Sequence, residues 1–77
     1  RDEMGMGENL IYVEAIDRFL DTIPANARIL FLRRYWFGDS VKRIAKDRGM
    51  TQNAVSVSLS RSREKLRAYL LKEGFSV

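Results

Sequence analysis

Apolar side chains in the first third of the chain recur every three or four residues, which is the spacing of one face of an α-helix. This face runs from about Glu8 to Ile23 and consists of Val13, Ile16, Phe19, Leu20 and Ile23. Pro24 follows it, and a proline disfavours the helical conformation in the preceding residue but suits the first turn of a new helix. The pattern therefore predicts one helix that ends before Pro24 and a second that begins after it.

The second predicted helix covers Ala25–Trp36, and a short third helix runs from Val41 to about Arg48. Gly38 is expected to end the second helix in the left-handed conformation, and Ser40 is expected to cap the third. The side chains predicted to be buried on these two helices are Ala27, Leu30, Phe31, Leu32, Tyr35, Val41, Ile44 and Ala45.

A glycine-containing turn, Gly49–Thr51, precedes a long fourth helix that is predicted from Gln52 to about Glu73. Thr51 is its predicted N-cap, and Gly74 is expected to end it. Its predicted buried stripe consists of Val55, Leu59, Ser62, Leu66, Tyr69 and Leu70. Residues 56–60 alternate polar and apolar as a strand does, but a single strand would leave its backbone groups unpaired, so we predict a helix there.

These elements predict an all-α, four-helix domain that ends in a helix-turn-helix with a long second helix. A chain of 77 residues forms one domain, which we assign to residues 8–77 as a helix-turn-helix domain. Residues 1–7 contain two glycines and no apolar period, so they are expected to form a flexible lead-in or linker. The chain begins with Arg1 rather than with methionine, which suggests that more protein precedes it.

Charge is distributed unevenly along the chain. Residues 1–24 carry six acidic and two basic side chains, a net charge of −4, whereas residues 25–77 carry twelve basic and four acidic ones, a net charge of +8. Such an asymmetry is expected when one part of a protein faces a polyanion, although net charge by itself indicates only non-specific attraction.

Composition argues against several classes of protein. The chain has no cysteine and no histidine, which excludes disulfides, thiolate nucleophiles and the usual zinc-finger ligands and removes the commonest general base. The carboxylates are scattered, so we expect no enzyme activity, no metal and no cofactor. No apolar run approaches the roughly 20 residues that cross a bilayer. We therefore expect no membrane partner and a cytoplasmic location, with which the absence of cysteine is compatible.

The outward face of the fourth helix is the candidate for reading DNA, because the first residues of a recognition helix meet base edges in the major groove. The amides of Gln52 and Asn53 suit bidentate pairing with adenine, and Val57 suits a thymine methyl group. Serine is a mediocre helix former, and small serines on this face would let the helix approach the groove floor. The predicted base-contacting residues are Gln52, Asn53, Ser56, Val57 and Ser60.

Cationic side chains surround this face and suit contacts with the phosphate backbone. Lys42 and Arg43 are the most informative, because they occupy the first turn of the third helix, where the helix dipole disfavours cations. A phosphate opposite them would offset that local cost. The predicted phosphate-contacting residues are Lys42, Arg43, Lys46, Thr51, Arg61, Arg63 and Arg67.

Taken together, these residues resemble region 4 of bacterial sigma-70 family factors, most of all the short, extracytoplasmic-function type. The resemblance covers roughly residues 16–71. It rests on the order and spacing of Ile23-Pro24, Arg28, Phe31, Arg34-Tyr35, Gly38-Asp39-Ser40-Val41, Ile44-Ala45, Gly49-Met50-Thr51, Val55, Leu59 and the basic segment 61–67.

The resemblance implies a bacterial domain that contacts the −35 promoter element through the fourth helix and the flap of the RNA polymerase β subunit through the other helices. It also raises an anti-sigma factor as a partner. Two positions depart from the family pattern: Lys42-Arg43 stand where acids are usual, and Ser56 replaces a usual lysine or arginine. These departures leave the preferred DNA sequence open.

Two other functions remain open at this point. One is the helix-turn-helix of another transcriptional regulator, such as a response regulator, which would carry a receiver or ligand-binding domain upstream. The other is a protein-interaction module that binds RNA polymerase or an anti-sigma factor and little DNA. The adjacent aromatics Trp36 and Phe37 suggest this second alternative, although such a pair more often caps the core, which is the interpretation we prefer.

Overall fold

The computed structural model describes residues 2–76, with side-chain positions from Leu10 onwards. Its regular elements are α1 (Asp2–Leu20), α2 (Ala25–Tyr35), α3 (Val41–Arg48) and α4 (Gln52–Lys72). Within the described residues all regular secondary structure is helical, so the predicted all-α, four-helix class is confirmed. Arg1 and Val77 lie outside the described residues.

The first helix begins at Asp2 rather than near Glu8, so residues 2–7 are helical where a flexible lead-in was predicted. A glycine costs about 1 kcal/mol in a helix interior but does not forbid the conformation. Extending a helix also costs less than starting one. The periodic segment that follows residues 2–7 already forms a helix, so these residues only have to extend it. A domain boundary at residue 8 remains a prediction.

The junction between α1 and α2 is held by the guanidinium group of Arg28. Its Nε donates to the carbonyl of Leu20 at 3.0 Å, and its Nη2 donates to the carbonyl of Ile23 at 3.4 Å. The carbonyl of Leu20 stands at the end of α1, where carbonyls lack partners within the helix, and the carbonyl of Ile23 lies in the linker, so Arg28 provides a partner for both. Pro24 is the N-cap residue of α2 and has an extended backbone, with φ −60° and ψ 152°.

The other helix ends follow the predicted capping chemistry. The side-chain oxygens of Ser40 and Thr51 accept from the backbone N–H groups of Arg43 and Ala54, each at 3.0 Å. Gly49 ends α3 with φ +66°, a left-handed conformation that side chains with a Cβ disfavour. These caps fix where α3 stops and where α4 starts.

Two clusters of buried side chains form the core, and α2 contributes to both. The first lies between α2, α3 and α4 and comprises Leu30, Ile44, Ala45, Val55 and Leu59. The second lies between α1 and α2, with Leu66 and Tyr69 of α4 against it, and comprises Phe19, Leu20, Ile23 and Phe31. The strand-like segment 56–60 is helical, because Val55 and Leu59 are drawn into the first cluster while Val57 between them faces outward.

Burial differs from the sequence prediction at three positions. Ala15 is fully buried although the apolar pattern did not select it, and Val13 and Tyr35 are exposed although the pattern did. Val13 and Tyr35 line the rim of an open groove between α1 and the end of α2, so no helix covers them. Ala15 is small enough to lie where α1 meets the rest of the domain.

We predict that Gly49→Ala lowers the free energy of unfolding by about 1–2 kcal/mol, because alanine resists the left-handed conformation. Apart from its neighbours in the chain, nothing in the protein would lie within 4 Å of a Cβ at this position, so the effect comes from the backbone alone. Urea denaturation followed by circular dichroism measures it. Gly49→Asn is the matched control and should cost less, since asparagine tolerates this conformation. Equal losses for both variants would contradict the explanation.

Candidate nucleic-acid interface

The helix-turn-helix unit consists of α3, a turn at residues 49–51 and α4. Ile44 and Ala45 of α3 pack with Val55 and Leu59 of α4, and all four side chains are buried. Because Ala45 is small, the two helices approach closely at this crossing. The crossing and the Gly49 turn together set the direction in which the first turns of α4 project from the domain.

The predicted base-contacting side chains lie on the outward face of these first turns. Gln52, Asn53, Ser56 and Val57 are exposed, whereas Ser60 is half-buried and therefore less accessible than the others. Among the residues whose side chains are described, the amides of Gln52 and Asn53 have no hydrogen-bond partner in the protein. Their donors and acceptors are free for a ligand.

The predicted phosphate-contacting side chains divide into two groups. On α3, which precedes α4 in the helix-turn-helix, Lys42, Arg43 and Lys46 are exposed. On α4, Arg61, Arg63 and Arg67 are exposed. Two residues correspond to a rotation of about 200° around the helix axis, so Arg61 and Arg63 lie on nearly opposite sides of α4. One helix side thus carries Arg61 and another carries Arg63 and Arg67.

Two of these cations already have partners within the protein. Arg63 donates through Nη1 to the hydroxyl of Tyr35, which ties the middle of α4 to the end of α2. Arg43 lies 3.4 Å through its Nε from Oδ2 of Asp47, one helical turn further along α3. Thr51, the third partnered residue among the candidates, caps α4 through its hydroxyl oxygen.

An ion-pair network that the sequence reasoning missed joins α2 to α3. Arg33 lies 2.8 Å from a carboxylate oxygen of Asp39 through Nε and 2.8 Å from one of Asp47 through Nη2. The hydrogen bond from Arg33 is the main cause that holds the pKa of Asp47 below its ordinary value, with smaller contributions from the charges of Arg33 and Arg43. The four-residue spacing of Arg43 and Asp47 was a visible signal, but the link to Arg33 depends on tertiary packing.

An apolar groove of about 480 Å³ lies on a different part of the domain, between α1 and the C-terminal end of α2. It is lined by Val13, Ile16, Asp17, Leu20, Phe31, Leu32, Tyr35, Trp36 and Phe37. Trp36 is 70% exposed and Phe37 is 69% exposed, so the prediction that this pair caps the core is wrong. Trp36 and Phe37 follow the last residue of α2, and the helices that cover Leu30 and Phe31 do not cover them.

Comparison with known families identifies the class of protein. Residues 13–66 match the model of sigma-70, region 4, and this span covers most of the chain. The chain therefore belongs to the sigma-70 region 4 family, as the sequence resemblance indicated. No match to a curated protein was found.

Membership of this family carries a general function. Region 4 is a DNA-binding, non-catalytic part of the sigma factors, which bind promoters and act in transcription together with RNA polymerase. Among the described residues, no group of carboxylates could hold a metal ion, and no helix is long and apolar enough to cross a membrane. The extracytoplasmic-function type remains a prediction.

Proposed function

We propose that this domain recognises the −35 element of bacterial promoters through the first turns of α4, as part of a sigma factor. The observation that carries the proposal is the exposed row of Gln52, Asn53, Ser56 and Val57 at the start of the second helix of a helix-turn-helix, whose first helix, α3, carries exposed cations. A role at promoters implies that the protein acts in the bacterial cytoplasm, where the DNA is.

Base reading is assigned to a short, mostly neutral surface. The side-chain amides of Asn53 and Gln52 suit the N6 and N7 atoms of adenine, and Val57 suits the methyl group of thymine. Ser56 and Ser60 add little bulk, so α4 is able to lie deep in the major groove. The half-buried position of Ser60 limits it to a secondary contact.

Most of the affinity is assigned to contacts with phosphates, which position the protein without specifying sequence. In a helix-turn-helix the first helix crosses the DNA backbone, and α3 carries Lys42, Arg43 and Lys46 on its exposed side. Thr51 adds a contact at the start of α4, and Arg61, Arg63 and Arg67 extend the cationic surface along it. The basic pair Lys42-Arg43, where the family usually has acids, is expected to increase this contribution.

A second partner is proposed for the apolar groove. Exposed aromatics at the rim of an open apolar groove are unusual on a small soluble domain and typically mark a protein-binding site. Because RNA polymerase is the partner of the family, we assign the groove to the flap of the β subunit. An anti-sigma factor that competes for the same groove is the alternative occupant, which Trp36 and Phe37 favour equally.

We predict that the domain binds duplex DNA with a steep salt dependence and prefers a −35-like sequence to a scrambled one. Each phosphate contact makes the slope of log K against log salt concentration more negative by about 0.9. Several contacts therefore give a slope of about −3 or steeper. Fluorescence anisotropy with the two duplexes over a salt series measures both quantities. Equal affinities that barely respond to salt would contradict promoter recognition.

We predict different effects for substitutions in the two kinds of contact. Asn53→Ala should lower the preference for the −35-like duplex by about 1–3 kcal/mol, since it removes a base contact. Lys42→Ala should weaken binding to both duplexes alike and reduce the salt slope by about one. Lys72→Ala, which removes the same charge at the far end of α4, is the matched control and should change binding less. If Asn53→Ala also weakens both duplexes equally, Asn53 does not read bases.

We predict that Trp36→Ala weakens binding to the isolated β flap domain at least about tenfold, because exposed tryptophans at an apolar groove often dominate interface energies. Leu71→Ala is the control, since Leu71 is also an exposed apolar side chain but does not line the groove. Trp36 is the single tryptophan of the chain, so its fluorescence should shift to shorter wavelength when the flap binds. An unchanged spectrum together with unchanged affinity of the variant would refute the assignment of the groove.

A further inference from the structure

One carboxylate oxygen in the helix-turn-helix holds two arginines at once. Oδ2 of Asp47 lies 2.8 Å from Nη2 of Arg33 on α2 and 3.4 Å from Nε of Arg43 on the same helix, α3. Arg43 is one of the side chains assigned to the DNA backbone. Asp47 therefore contacts both Arg33, with which it forms an ion pair within the fold, and Arg43, which is a proposed phosphate contact.

The two arginines hold this oxygen with unequal strength. The side chain of Arg33 is 22% exposed and makes the shorter contact, while it also pairs through Nε with Asp39 at 2.8 Å. The side chain of Arg43 is 70% exposed and makes the longer contact. A less exposed pair is less screened by water and salt, so Arg33 is the principal partner of Asp47 and Arg43 is the one that can leave.

A phosphate and the carboxylate of Asp47 would compete for the same guanidinium group. Carboxylates and phosphates both bind arginine through charge-assisted hydrogen bonds, so each contact that Arg43 makes with Asp47 must be given up or shared when DNA binds. The pairing of Asp47 with Arg33 weakens its hold on Arg43 and so reduces this competition.

We infer that Asp47 is a positioning residue that restrains the contact of Arg43 with the DNA backbone, and that Arg33 limits this restraint by holding the same carboxylate. The inference rests on the proposed function, because it requires Arg43 to contact a phosphate. It assigns opposite effects on DNA affinity to the two members of one ion pair. A purely structural ion pair would instead weaken binding when either member is lost.

The chain offers a matched control for this inference. Asp39 pairs with the same arginine as Asp47 at the same distance, but its carboxylate is not in contact with Arg43. Asp39→Asn and Asp47→Asn therefore remove equal charge and one ion pair of Arg33 each. Only Asp47→Asn also frees Arg43, so the difference between the two variants isolates the restraint.

The experiment measures the affinity of the full 77-residue chain for a −35-like and a scrambled duplex by fluorescence anisotropy, with thermal unfolding as a check on folding. We expect Asp47→Asn to bind both duplexes about two- to fivefold more tightly than Asp39→Asn, which corresponds to the strength of an exposed ion pair. The gain should disappear in an Arg43→Ala background. We expect Arg33→Gln to weaken binding by a similar factor, and to have no such effect when Asp47→Asn is also present.

The outcomes separate the inference from the proposed function. If Arg43→Ala weakens binding but Asp47→Asn binds no better than Asp39→Asn, the restraint is overturned and promoter binding stands. If Arg43→Ala leaves binding unchanged, the phosphate contact of Arg43 and the restraint both fail. Asp47→Ser carries the same expectation as Asp47→Asn and replaces it if that variant does not fold, and a loss of affinity in every folded variant of Asp47 and Arg33 would show a structural role only.

Discussion

Burial of two neighbouring side chains on α2 holds the domain together. Leu30 and Phe31 are separated by about 100° around the helix axis, so they face different neighbours. Leu30 packs into the cluster of α3 and α4, and Phe31 packs against Phe19 of α1, with their ring centroids 6.3 Å apart. Each contributes about 1.5–3 kcal/mol by leaving water. α1 also packs directly against α4, where the ring centroids of Phe19 and Tyr69 lie 5.7 Å apart, so α2 and α4 together hold α1 on the domain.

Polar contacts between the helices then fix how the packed helices are oriented relative to one another. Arg28 closes the junction of α1 and α2, Arg33 joins α2 to α3, and Arg63 joins α4 to Tyr35 at the end of α2. Arg28 and Arg33 therefore act within the fold, and Arg63 combines a contact within the fold with its proposed role at the DNA. The charge available to DNA is smaller and more localised than the net charge of the sequence suggests, and it concentrates on α3 and on the outward side of α4.

The two proposed interfaces meet at the end of α2. Tyr35 lines the apolar groove with its ring and accepts from Arg63 with its hydroxyl, so one side chain borders both the surface assigned to polymerase and the surface assigned to DNA. Trp36 and Phe37 extend the groove beyond the last turn of α2, where they lack the cover that buries Leu30. The small size of the domain explains this arrangement, since a core built from four helices cannot cover every apolar side chain.

The sequence by itself determined the helices from α2 onwards, their caps and the family, because these depend on local signals: apolar spacing, Ser40 and Thr51 at helix starts, and Gly38 and Gly49 at helix ends. The apolar pattern also predicted most of the buried side chains of the core. It predicted a row of outward side chains on α4 as well, and their contacts with DNA remain predictions. Tertiary structure alone decided that Trp36 and Phe37 are exposed, that Ala15 is buried, and that Arg33 joins Asp39 to Asp47. Exposure and ion pairing across helices depend on which surfaces the neighbouring helices cover. No local pattern in the chain contains that information.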